Sequence, residues 1–142
     1  MPAWQTGGGP RVDKAGHIPL LVLCASAQRA VNLVRVLRPM HRLPVAKLFG
    51  KHLKVAEQQE SLRWQKSAIA VGTPNRVMKL VEAGALSLEG VFICLDANHK
   101  DLKNYSLLTL PGVSDDLFSF FTEHVYPLEA DDTDGNFSVA FF

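Results

Sequence analysis

The chain has almost no net charge. Fifteen Lys and Arg against 14 Asp and Glu leave +1 over 142 residues. That balance excludes a bulk field driving the protein onto nucleic acid or an anionic membrane, so any basic surface has to be local. Cysteine is scarce too: Cys24 and Cys94 are the two thiols, and each lies within an apolar run, LLVLC and VFICL. Two buried, reduced thiols in strands are expected, in a reducing compartment. No apolar run approaches the ~20 residues of a membrane helix. The opening MPAWQTGGGP lacks the apolar centre of a signal peptide. A soluble intracellular protein, with no membrane partner, is expected. A phosphate loop is also missing. The nearest segment, GPRVDKAG, has Asp13 where a glycine must bare its amide and Ala15 where a hydroxyl must hold magnesium. That aspartate would repel phosphate, and no strand precedes it.

What is present is an alternation of short apolar runs with amphipathic stretches. Residues 1–17 are rich in Gly and Pro and read as a flexible lead. Ile18–Cys24 (IPLLVLC) suits a strand covered on both faces. Ser26 can cap a helix over Ala27–Leu37 with Ala27, Ala30, Val31 and Val34 inward, ended by Pro39 and Pro44. Val45–Phe49 predicts a second strand. Lys51, His52 and Lys54 form a small basic cluster, either functional or an ordinary solvated face, before a polar helix over Val55–Trp64.

The centre of the chain is SAIAVGTPNRVMKLVE, Ser67–Glu82. It predicts a strand over Ala68–Val71, a turn at Gly72, and a helix with Thr73 as hydroxyl cap and Pro74 in the first turn. Val77, Leu80 and Val81 share the apolar face, while Arg76 and Lys79 lie off it. Free amides at such a helix start suit anions and phosphates, and they also occur at any ordinary βα turn. Val91–Leu95 is a further strand with Asp96 at its carboxyl end. Ser114 predicts the start of a last helix, Asp115–His124, with Leu117, Phe118, Phe120 and Phe121 on its apolar side and Pro127 beyond. Residues 127–142 read as an acidic linker and then FSVAFF, either a terminal strand or a frayed tail. Strands alternating with helices give the expected fold: α/β, one open, mainly parallel sheet with helices on both faces. The α/β domain is expected over residues 18–126.

Three segments, in order, resemble the first RecA-like domain of DEAD-box RNA helicases. LVLCASAQRAVNLV resembles the strand and Pro-Thr-Arg-Glu-Leu-Ala motif, with Ala25 and Ser26 in place of proline and threonine. IAVGTPNRVMKLV resembles the Thr-Pro-Gly-Arg motif. FICLDANH stands where the Asp-Glu-Ala-Asp box belongs. Here the box reads Asp96, Ala97, Asn98, His99, so the glutamate that would activate water is Ala97 and the final aspartate is His99. Without phosphate cradle or general base, attack on ATP has no machinery. No nucleotide cofactor and no catalytic residue are expected.

A closer resemblance covers residues 18–123. KLFGKHLKVAEQ, VGTPNRVMKLVEAGALSL, Asp96, HKDLK and a leucine-rich LP segment look like the Cms-type family of small-subunit pre-ribosome proteins. That family is a degenerate helicase-like domain. The resemblance implies a RecA-like fold without the phosphate loop and a non-catalytic RNA- or ribonucleoprotein-binding role in nucleolar ribosome assembly. Pre-rRNA or pre-ribosomal proteins would be the partners. Residues 1–17 do not resemble the family, and a shortened amino terminus is expected. Carried over residue by residue, the RNA-phosphate set is Ser26, Arg29, Thr73, Asn75 and Arg76, each a sequence-independent contact. Asn75 stands for the motif's glycine. Asp96 is expected to cap the loop that follows it. His99, Asp101 and Asp96 have no metal-ligand spacing, so no metal is expected. A helicase fragment with its phosphate loop elsewhere, and a protein-interaction scaffold, are the competing readings.

Overall fold

The computed structural model describes residues 15–50, 52–131 and 138–142. Most of the predicted lead, Lys51 and most of the acidic linker lie outside the described residues. Five strands form one sheet: β1 (Leu20–Leu23), β2 (Ala46–Leu48), β3 (Ile69–Gly72), β4 (Phe92–Leu95) and β5 (Ser138–Phe141). Their order is β2-β3-β1-β4-β5, and every pairing is parallel. The expected α/β fold is what forms.

Burial on both faces explains why the strands are continuous apolar runs. Leu21, Leu23, Ala70, Ile93 and Leu95 point to one face. There they meet Leu62 of α2 (Val55–Trp64), Val77 and Leu80 of α3 (Pro74–Glu82), and Leu117 and Phe120 of α4 (Val113–Phe120). Leu20, Val22, Cys24, Ile69 and Val71 point to the other face, under Ala30, Leu33 and Val34 of α1 (Ala27–Leu37). Leu33 thus joins Ala30 and Val34 on the inward face of α1, while Ala27 and Val31, expected there, are half-buried. Cys24 is fully buried, but Cys94 is only half-buried, and both are free thiols. Cys94 shares the face on which α1 packs over β1 and β3, one strand beyond that cover.

The carboxyl-terminal third departs most from expectation. Gly112, at φ 83, precedes α4, so the helix starts ahead of Ser114. It does not stop before Pro127. A π-helical turn over Phe121–Val125 follows α4, and α5 (Tyr126–Asp131) continues through the proline. In a regular α-ladder Pro127 would lack the N–H owed to the carbonyl of Glu123 and would clash with it. The wider turn re-routes the ladder at that place. β5 is a strand, pairing Ser138–Phe141 with Phe92–Leu95. Helix α5 and strand β5 therefore extend the same layers. At the other end Gly16 and His17 are already bonded: Ser87 N donates to Gly16 O at 3.0 Å, and His17 Nε2 lies 2.7 Å from Glu89 O.

Candidate nucleic-acid interface

All five strands run the same way, so Cys24, Phe49, Thr73 and Asp96 emerge at one edge. β1 leads by way of α1 toward β2, whereas β4 leads by way of α4 toward β5. The crevice between their carboxyl ends is the switch point at which open α/β sheets bind ligands. Here that crevice is filled. Arg29 Nε donates to Asp96 Oδ2 at 2.7 Å and Nη2 to Oδ1 at 3.1 Å, a two-pronged pair with the Asp96 side chain 3% exposed. The bond to Asp96 holds the Arg29 guanidinium even more firmly protonated than usual. Asp96 therefore does not cap the following loop, and Arg29 is not a free phosphate fork. The loop is held by backbone instead: Phe142 O accepts from Ala97 N at 2.8 Å and Asn98 N at 3.0 Å. Behind the pair, burial pushes the Cys24 thiol up to about 12, with the Asp96 charge adding a smaller upward push. Its single S–H can donate to either Ser26 O, 3.5 Å from the sulfur, or Gly72 O, 3.6 Å from it, as an inert structural thiol.

Ser26 caps α1 as expected, its hydroxyl accepting from Arg29 N at 3.1 Å. Thr73 occupies the cap position of α3 with extended backbone, but its hydroxyl makes no cap bond. The turn is tied down through backbone instead, Thr73 N donating to Leu48 O at 3.2 Å. Gly72 makes that possible. A Cβ there would stand 2.5 Å from Val77 Cγ2 and 2.6 Å from Leu48 O. Asn75 is exposed at the first turn, and Pro74 is buried beneath it.

Arg76 is the clearest correction. The sequence places it off the apolar face, free for phosphate. In the structure it folds against Gly50, and its Nη1 donates to Leu53 O at 2.6 Å and to Gln58 Oε1 at 2.8 Å. Gln58, 5% exposed, donates in turn to Lys47 O at 2.9 Å and Phe49 O at 3.0 Å. One arginine and one glutamine thus lock α3, α2 and the end of β2 together. Sequence reasoning missed Gln58. Its signal was position: it lies four residues before Leu62, on the core face of α2, where a polar side chain needs a partner. Arg76→Ala should leave the buried Gln58 oxygen unpaired and cost about 1–3 kcal/mol. Chemical unfolding checks this, and Arg76→Lys should recover only part of the loss.

His99 is exposed and Asp101 faces its own loop, Oδ1 accepting from Lys103 N and Tyr105 N, both at 2.9 Å. Asp96, His99 and Asp101 are not gathered into a ligand set. The edge can therefore offer phosphates the first amides of α1 and α3, the Thr73 hydroxyl and Asn75.

Comparison with known proteins adds a family to this geometry. The profile described as CMS1, U3-containing 90S pre-ribosomal complex subunit, matches residues 10–142. A zebrafish (Danio rerio) protein named CMSS1 is 37% identical over 112 residues, covering 78% of this chain and 38% of that protein. Protein CMS1 of Chaetomium thermophilum is 43% identical over 97 residues, covering 66% and 39%. The chain thus spans about two fifths of the length of these relatives. Among solved structures, a DEAD box protein from Methanococcus jannaschii superposes with a TM-score of 0.58 at 18% identity, over 92% of this chain and 32% of that one. That likeness shows the RecA-like fold.

Proposed function

The chain belongs to the CMS1 family of U3-containing 90S pre-ribosomal complex subunits, and from that premise we propose that it is a non-catalytic RNA- or ribonucleoprotein-binding factor of small-subunit ribosome assembly, acting in the nucleolus. The family supports the role in ribosome biogenesis. The observation that carries the non-catalytic part is the Arg29–Asp96 pair. The first acid of the box is already neutralised by a guanidinium with two bonds, and the next position is Ala97, which has no side chain to activate water. A carboxylate with both oxygens so engaged is a poor metal ligand. This disfavours the helicase-fragment reading.

The RNA reading rests on the remaining edge. Ser26, Thr73 and Asn75 present hydroxyls, an amide side chain and helix-terminal N–H groups to a passing phosphate backbone. Arg29 and Arg76 belong to this set as residues that hold the edge in shape. Such contacts carry no sequence information, so they suit any RNA strand, and the family's place in the 90S pre-ribosomal complex is what favours pre-rRNA as the partner. The expected result is no ATP turnover by the purified chain, with or without single-stranded RNA. Turnover above an Asp96→Ala control would overturn the non-catalytic reading and restore the helicase fragment.

A further inference from the structure

A second surface lies along the β2 side of the sheet. A cleft of about 580 Å³ runs along the outer side of β2, between the carboxyl end of α1 and α2. Its volume is within the ~300–1,000 Å³ of ligand sites. Val34, Val45 and Leu62 give it an apolar lining. Arg38, Arg42 and Lys47 line it as well, and all three are exposed. None of the three joins an ion pair among the described residues. The one acid in the lining, Glu57, accepts from Lys54 N at 3.3 Å and so closes the start of α2.

We propose that this cleft docks an acidic segment of a partner protein, with aliphatic side chains on the floor and carboxylates on the Arg38, Arg42 and Lys47 rim. Charge complementarity selects the sign of the occupant. Peptide is favoured over RNA because no Phe, Tyr or Trp lines the cleft, and its one aromatic ring, the His41 imidazole that accepts from Leu43 N at 3.0 Å, is a small platform for successive bases. The mode of docking is also limited. β2 is the sheet's edge, yet Gln58 already fills the carbonyls of Lys47 and Phe49, which blocks strand addition there. The segment must engage by side chains.

The test uses the purified chain and a fluorescent peptide of alternating aspartate and leucine, followed by anisotropy. Saturable binding is expected. Arg38→Glu with Arg42→Glu should weaken it about tenfold or more, since two attractions become repulsions. Ser61→Trp, an exposed lining position, should block it by filling the cleft. Lys103→Glu, on a distant exposed loop, should leave it unchanged, and oligouridylate should not displace the peptide. Melting temperatures of the variants confirm that they fold. Absence of saturable binding, or equal binding by parent and cleft variants, overturns the proposal. Displacement by oligouridylate overturns it too and gives the cleft to RNA. RNA affinity measured on the same preparations is a separate readout, because the cleft variants leave Ser26, Thr73 and Asn75 in place.

Discussion

Arg29→Ala is expected to cost about 3 kcal/mol of folding stability, at the low end for removing one partner of a buried pair because Arg29 keeps a quarter of its side chain in water. The cost arises from what stays behind. Asp96, 3% exposed, would be left as a carboxylate with neither water nor guanidinium. The reverse change is milder. Asp96→Asn leaves an arginine that can swing to solvent, and should cost about 1 kcal/mol. Urea unfolding of the two variants measures the asymmetry. Equal and small losses would mean that the pair does not hold the crevice, and the argument from an engaged box acid would fall with it.

Gly72→Ala should be comparably damaging for a different reason. The added methyl would meet Leu48 O at 2.6 Å and Val77 Cγ2 at 2.5 Å, and a backbone oxygen in a sheet cannot rotate away. Strain of about 3 kcal/mol is expected, the upper part of the overpacking range. The melting temperature should fall by about 10 °C. The damage should be local as well as global. Moving β2 outward breaks the bond from Thr73 N to Leu48 O, so the Thr73 amide should exchange with solvent faster than in the parent under native conditions. A melting temperature within a degree or two of the parent would show that β2 and the turn are less tightly joined than the geometry says.

These two sites show what was legible in the sequence and what was not. Strands β1 to β4 were legible because each is an apolar run too short for a buried helix and followed by a cap or breaker, such as Ser26 after Cys24 and Thr73 after Gly72, whereas FSVAFF, which forms β5, read equally as a strand or a frayed tail. Helices α1 and α2 begin and end at the predicted residues, Ala27–Leu37 and Val55–Trp64, because proline and polar punctuation bound them. The last helix was misjudged because Pro127 reads as a stop, and nothing local announces that a π-turn will absorb it. The candidate residues lie along one edge, since parallel topology brings every strand's carboxyl end there. Their partners were not legible. Arg29 and Asp96 lie 67 positions apart, and Arg76 and Gln58 lie 18 apart. No periodicity joins residues across a sheet, so both arginines read as free cations and both turned out to be structural bonds.

Ultraviolet crosslinking of the purified chain to single-stranded RNA of random sequence, with the adducts mapped by mass spectrometry, tests the central claim most directly. The account predicts adducts at Thr73–Asn75 and around Ser26, with similar yield for unrelated RNA sequences. Adducts confined to the cleft lined by Arg38, Arg42 and Lys47, or no adducts at all, would contradict an RNA-facing carboxyl edge.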